Sequence, residues 1–334
     1  MHPAVEQALD ENENDQQIEI QPVGNDADPQ NQEGEEQTRE HFDVVFIEDE
    51  NLYHNELYFL QIIGQGAFAT VFRGHDARKR LVALKRIDLS QISDNATLET
   101  TLNEINLFKG LKHENIVECY DSYEEHTNGR NHLVLVLEYI SGGDLEQWIS
   151  MKTHPLMALI PEVEIWHIFK QIASAVEFIH SNRIIHRDLK PANVLIASRT
   201  LVKLTDFGLS RLTNHASGAK TVCGTPYYMA PERISETGYS FFSDIWSLGC
   251  ILYEMAALKS PFFGEKDNIT SLVEKVKHSD YPPIPEDCYS EQMSMLIDAC
   301  MSPVPSDRPR ASDVRMIAFE MYGRNSQQKT TARR

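Results

Sequence analysis

One eight-residue stretch, His186-Arg187-Asp188-Leu189-Lys190-Pro191-Ala192-Asn193, constrains this chain more than any other part of it. It sets a carboxylate, an ammonium and an amide at fixed spacings. The segment does not continue as a helix, because Pro191 fixes φ and removes a backbone donor. An aspartate ionises near pH ~4, so at neutral pH Asp188 can accept a hydrogen bond from a hydroxyl and aim its oxygen at an electrophile. Asn193 offers the neutral, hard oxygen that Mg2+ prefers. The competing reading is a polar loop that merely follows a helix, and the order of the remaining segments decides against it.

Tyr58 to Ile63 reads as a strand, interrupted by Gly64-Gln65-Gly66-Ala67-Phe68-Ala69-Thr70 and resumed at Val71-Phe72-Arg73. Glycines in such a turn let backbone amides approach phosphate oxygens, although tight hairpins use them too. A strand rather than a helix follows, which disfavours a dinucleotide-binding turn. Val82-Ala83-Leu84-Lys85 places a lysine on the next strand. Leu98 to Leu111 then carries apolar residues at helical spacing (Leu102, Ile105, Leu107, Phe108, Leu111), with Glu104 among them. Asn128-Gly129 between two apolar runs predicts a hairpin, and Glu162 to Asn182 predicts a long amphipathic helix leading into the opening stretch. Thirteen residues after Asn193 comes Asp206-Phe207-Gly208, and later Ala230-Pro231-Glu232.

In this order the segments resemble a protein kinase over residues 57 to 322. The resemblance implies an α+β, bilobal fold with a small antiparallel β-sheet lobe (about 57–137), which carries one regulatory helix, and a larger, mainly helical lobe (about 141–322). It also implies ATP and Mg2+ as cofactors. On that reading Asp188 orients the substrate hydroxyl, Lys190 neutralises phosphate charge, and Lys85 grips the α- and β-phosphates while paired with Glu104. Asn193 and Asp206 hold the metal. The nucleotide lies against Ile63, Gly64, Gln65, Gly66, Ala67, Phe68, Ala69, Thr70, Val71, Ala83 and Lys85, with Leu137 as gatekeeper and the backbone of Glu138 and Ile140 at the adenine. The third glycine of the kinase lid is Ala69 here, a departure of one methyl group. Asp244 is expected to brace the catalytic loop, and Arg308 to pair with Glu232.

Lys190, and Thr225 in the substrate-facing loop, are marks of serine/threonine rather than tyrosine kinases. Gly224 to Ile234, Leu252 to Phe262 and Asp280 to Pro285 resemble NIMA-related kinases, in particular short members without a coiled-coil tail. That family implies mitotic, microtubule or ciliary work, at the spindle, centrosome or cytoskeleton. It also implies a preference for an apolar residue three positions before the target. Thr221 sits where such kinases carry an activating phosphate. An upstream kinase is then an expected partner beside protein substrates, with Arg187 reading the phosphate. A kinase-fold scaffold that only binds partners is the alternative, weakened by retention of Lys85, Glu104, Asp188, Asn193 and Asp206. A small-molecule kinase is weakened by the intact activation segment.

Composition adds bounds. Residues 1–50 hold 16 Asp and Glu against one Arg, so they carry most of the net charge of −19. The first 51 residues read as a disordered acidic extension on a nearly neutral globule, either a regulatory tail or a solubilising one. Five scattered cysteines without a C-x-x-C pair read as reduced thiols of the cytosol or nucleus. Nothing at the N-terminus resembles a signal peptide. The longest apolar-rich stretch, Ile245 to Leu258, contains Glu254 and is too short to span a membrane. Nucleic-acid binding finds no basic stripe. From Gly323 the chain reads as a short basic tail without heptads, so a monomer or a transient dimer is expected.

Overall fold

The computed structural model describes residues 58–66, 69–76, 78–91, 109–127, 129–153, 159–206, 227–236, 238–264 and 268–331. Contacts divide the chain into Met1–Asp43 and Val44–Arg334, and every described residue lies in the second unit. The acidic extension, Glu104 and most of its expected helix, Ala67, Phe68, Thr221 and Thr225 lie outside the described residues.

Five strands form one antiparallel sheet in the order β1-β2-β3-β5-β4. They are β1 (Tyr58–Gln65), β2 (Ala69–His75), β3 (Leu81–Asp88), β4 (Cys119–Thr127) and β5 (Arg130–Glu138). The register sets Val71 opposite Lys85, Lys85 opposite Leu135, and Ala83 opposite Leu137. Because side chains alternate between faces, these five residues share one face, and Phe72, Val82, Leu84, Val134 and Val136 share the other. The run Leu133-Val134-Leu135-Val136-Leu137 is continuous rather than alternating, as a strand covered on both sides requires. The predicted hairpin joins β4 to β5, and its Gly129 takes φ +73°, a left-handed conformation that glycine adopts without a Cβ clash.

Beyond β5 the chain is mainly helical: α1 (Leu145–Lys152), α2 (Glu162–Ser181), a short hairpin of β6 (Val194–Ser198) and β7 (Leu201–Leu204), α3 (Pro231–Ile234), α4 (Phe241–Ala257), α5 (Ile269–His278), α6 (Glu291–Cys300) and α7 (Ala311–Thr331). The α+β, two-lobed expectation is what the chain folds into. The helical stripe read in α2 is buried along its length, from Ile165 through Phe169 and Val176 to Ile179. Helix α4 is buried all round, from Ser243 to Ala256, as a helix at the centre of a lobe must be. The apolar stretch that contains Glu254 is therefore core. Among the described residues no helix is long and apolar enough to cross a membrane. The boundary expected at Gly323 falls inside α7, because Tyr322 and Met321 still pack on the core and the polar residues that follow continue the same helix.

A close backbone approach sets how the halves meet, and a buried ion pair ties the helical half together. The chain leaving β5 runs so close to β6 that a Cβ on Gly142 would sit 2.2 Å from the carbonyl oxygen of Ile196, so only glycine fits there. In the helical half, Arg308 reaches Glu232 through both arms of its guanidinium, at 2.8 and 2.9 Å, as the sequence predicted. It also donates to the carbonyls of Ser302 and Phe242 and lies 5.1 Å from the Trp246 ring.

Arg308→Ala would strand the half-buried Glu232 carboxylate without its cation, a loss of about 3–5 kcal/mol for a buried pair broken on one side. Urea denaturation should show that drop, and Arg308→Lys should recover only part of it, because an ammonium does not form the two-armed contact.

Candidate active site

The opening stretch lies between α2 and β6, and one buried carboxylate holds it. Asp244, on the first turn of α4, has no exposed surface. Its Oδ2 accepts the backbone N–H of His186 at 2.8 Å and Nε2–H of His180 at 2.8 Å. Its Oδ1 accepts the N–H of Arg187 at 3.0 Å and the Tyr239 hydroxyl at 2.8 Å. Burial by itself would raise this carboxyl's pKa, but the His180 hydrogen bond and the neighbouring donors outweigh it, so Asp244 titrates below the ordinary carboxylate range. The expected brace is therefore present, with His180 and Tyr239 as members that the sequence did not point to.

His186 is fully buried, and burial lowers its pKa, so the ring is neutral. Its Nδ1 accepts the N–H of Asp188 at 3.2 Å, which leaves Nε2–H to donate to the Thr205 carbonyl at 3.0 Å. One imidazole thus ties the loop to the strand end that delivers Asp206. Arg187 and Asp206 both hold left-handed backbone, at φ +72° and +65°, a conformation uncommon outside glycine and found where surrounding structure enforces it.

Asp188, Lys190 and Asn193 come together as expected. Lys190 Nζ donates to Asp188 Oδ2 at 2.8 Å, and Asn193 Nδ2 donates to the Asp188 carbonyl at 2.7 Å and to Oδ2 at 3.0 Å. With the amide nitrogen committed to Asp188, the Asn193 oxygen is the end turned to other chemistry. Lys85, expected to pair with Glu104, forms an ion pair with Asp206 at 2.7 Å. Burial pushes the Asp206 carboxyl up, yet Lys85, with Lys190 behind it, holds it below its ordinary range. The donors of Asn193 and Asp206, an amide oxygen and a carboxylate, are the hard oxygens that suit Mg2+.

Above this cluster lies the sheet face of Val71, Ala83, Lys85 and Leu137, with Ala83 and Leu137 buried in the core. The glycine turn begins at Gly64 and closes where the Gly66 N–H donates to the Ala69 carbonyl at 2.8 Å, and Ile63 stands beside it with its side chain exposed. The substituted third glycine, Ala69, continues into β2 as an ordinary strand residue next to Thr70. At the chain's exit from β5, Ile140 packs on the core, and the Glu138 N–H is taken by the Glu118 carbonyl at 2.8 Å. The Glu138 side chain has a part that the sequence did not reveal. It accepts from Lys203 of β7 at 2.8 Å and from the Glu118 N–H at 3.2 Å, fastening the joint between the halves to the strand that leads to Asp206.

A second missed pair lies just after the undescribed segment 207–226. The Tyr228 hydroxyl donates to Glu254 Oε2 at 2.6 Å, while the Tyr228 carbonyl accepts from Ser247 at 2.8 Å. A lone carboxylate in the apolar run of α4 was the signal available in the sequence, since such a group needs a partner. Burial raises Glu254 to about 7, against the lowering effect of the Tyr228 bond. A carboxyl raised in the folded state contributes stability that is complete below its unfolded value near pH ~4.5 and fades as the pH climbs through the folded value. Between pH ~5 and pH ~7.5 the wild type should therefore lose unfolding free energy relative to Glu254→Gln. Urea titrations of the two proteins at both ends of that window check the sign.

Comparison with known proteins agrees with this arrangement. The protein kinase domain family matches residues 57–319. "Probable serine/threonine-protein kinase nek2" of Dictyostelium discoideum is 36% identical over 266 residues, covering 78% of this chain and 62% of that protein. "Serine/threonine-protein kinase Nek4" of Mus musculus is 35% identical, over 79% of this chain and 32% of that protein. "Serine/threonine-protein kinase Nek11" of Homo sapiens is also 35% identical, over 78% and 39%. The chain thus spans less than two thirds of the length of these relatives. Among solved structures, Rad53 1-466 in complex with AMP-PNP superposes with a TM-score of 0.65 at 31% identity, covering 78% of this chain and 64% of that one. With the family match running from the first strand into the last helix, the chain belongs to the protein kinase domain family.

Proposed function

We propose that the chain is a NIMA-related serine/threonine protein kinase that transfers the γ-phosphoryl group of ATP to protein hydroxyls. The observation that carries this reading is the convergence of Lys190 and Asn193 on the Asp188 carboxylate, in a loop held by Asp244. Such a carboxylate is oriented before substrate arrives, so it accepts the hydroxyl proton without reorganising. The Nek names of the relatives support the family placement, and the AMP-PNP of the Rad53 structure supports ATP as donor.

In this mechanism Ala83, Val71 and Leu137 form the apolar bed for a nucleotide base, and Lys85 meets the phosphates. Lys190 meets charge developing on the transferred group. A Mg2+ ion held by Asn193 and Asp206 would neutralise phosphate oxygens. Phosphoryl transfer asks little covalent chemistry of the protein, so positioning and charge supply the rate. The Lys85–Asp206 pair must loosen as nucleotide enters, since both groups face the phosphates. Work at the spindle, centrosome or cilium belongs to the same proposal, as does activation by phosphate on Thr221 read by Arg187, whose backbone Asp244 already fixes.

Incorporation of radiolabelled phosphate from ATP into protein substrate should fall by about 100- to 10,000-fold in Asp188→Asn, the usual loss when a general base is removed. Equal incorporation in both proteins would favour a scaffold instead. Thr221→Ala should abolish the rise in activity that follows treatment with an upstream kinase, measured as initial rate before and after treatment. A peptide array should show an apolar preference three positions before the target hydroxyl.

A further inference from the structure

Strands β6 and β7 form a two-stranded sheet, so β7 has a second edge with no ladder of its own, and that edge is buried. Val202 is 3% exposed and Leu204 1%, which leaves their main-chain groups no water to turn to. Every one of these groups nevertheless has a partner. The Val202 N–H donates to Gln171 Oε1 at 3.1 Å, and the Val202 carbonyl accepts from Asn115 Nδ2 at 3.1 Å. The Leu204 N–H donates to the Asn115 carbonyl at 2.8 Å, and the Leu204 carbonyl accepts the Val117 N–H at 3.0 Å. Two side chains and a short parallel bridge at Ile116 stand where a third strand would run. To Val202, Asn115 and Gln171 offer one donor and one acceptor, as a neighbouring peptide would.

Both side chains are held in turn. Asn115 and Gln171 are buried, and Asn115 Nδ2 also donates to Gln171 Oε1 at 3.0 Å. Gln171, on α2, gives its Nε2–H to the His167 carbonyl at 2.9 Å. Burial lowers the His113 pKa, so that ring is neutral. Its Nδ1 accepts the Asn115 N–H at 3.1 Å, which leaves Nε2–H to donate to Ser174 Oγ of α2 at 3.3 Å. The turn that carries Asn115 is thereby fastened to α2 as well as to β7. Both oxygen donors assigned to Mg2+ depend on where β7 ends. Asp206 lies two residues past Leu204, and the Thr205 N–H between them donates to the Asn193 carbonyl at 3.0 Å.

We propose that Asn115 and Gln171 are positioning residues for phosphoryl transfer: by completing the outer edge of β7 they fix where the Asp206 carboxylate stands, a role that rests on Asp206 as a metal ligand. They act on the metal through the strand, and their loss weakens Mg2+ binding before it disturbs the bed for the nucleotide base.

Isothermal titration of the full chain with AMP-PNP, with and without Mg2+, separates these effects. In the wild type Mg2+ should tighten AMP-PNP binding. Gln171→Leu should cut that tightening by about 10-fold, the usual loss when a group that orients a metal ligand is removed, and leave metal-free binding little changed. Asn115→Ala should act in the same direction, while Gln171→Glu, which keeps the acceptor for Val202, should recover most of the effect. Amide hydrogen exchange over residues 201–206 should quicken in Gln171→Leu, with α4 still protected. An undiminished Mg2+ effect in Gln171→Leu and Asn115→Ala, or equal weakening of metal-free and Mg2+-dependent binding, would overturn the proposal. Failure of both variants to fold would do the same, since the pair would then be scaffolding for the whole lobe. Asp206→Asn is the control: a Mg2+ effect that survives there overturns the metal reading and the proposal together. One that vanishes there but persists in Gln171→Leu overturns the positioning role alone.

Discussion

A single buried carboxylate fixes the geometry on which the rest of this site depends. Asp244 comes from the helix at the centre of the larger lobe, and its two oxygens are filled by four donors from α2, the loop and Tyr239. An ion in a dry interior is tolerated only when such bonds replace its lost water, and once they do it is rigid, because moving any donor exposes the full desolvation cost. The strain of left-handed backbone at Arg187 is held by this anchor. Asp188 then needs only local partners, Lys190 and Asn193, to be aimed.

The second lobe is joined by equally specific means. His186 hands the position of the loop to Thr205 and so to Asp206, while Lys203, two residues earlier, hands it to Glu138 at the exit of the sheet. Gly142 lets the same joint press against β6 without a side chain between. Lys85 closes the circuit from the sheet by its contact with Asp206. The groups that must meet a nucleotide are therefore connected by short polar links, and the apolar cores above and below supply the bulk of the stability.

Much of the site was legible because kinase chemistry needs particular residue types at short spacings. Asp188, Lys190 and Asn193 lie within six residues of one another, and a hydrogen-bonded loop brings such neighbours together whatever surrounds it. The kinase resemblance named Val71, Ala83, Lys85 and Leu137 as nucleotide neighbours, while the register of β2, β3 and β5 that puts them on one face came from the fold. His180, Tyr239, Tyr228 and the side chain of Glu138 were not legible. Each is an ordinary residue for its element; the partners of His180, Tyr228 and Glu138 lie 64, 26 and 65 residues away on another element, and Tyr239, five residues before Asp244, has no motif that marks it. The basic tail read from Gly323 onward is likewise helix, because α7 docks its first turns on the core and polar residues can extend a helix that is already nucleated.

The sequence by itself determined the class of fold, the order of its parts and the chemistry of the loop, since apolar period and local motif are properties of neighbouring residues. The tertiary structure alone decided which other buried polar groups satisfy one another: Asp244 with His180 and Tyr239, Glu254 with Tyr228, and Lys85 with Asp206. The reason is physical. A buried polar group must find a partner, but which one it finds depends on how separate elements pack, and packing is a property of the whole chain.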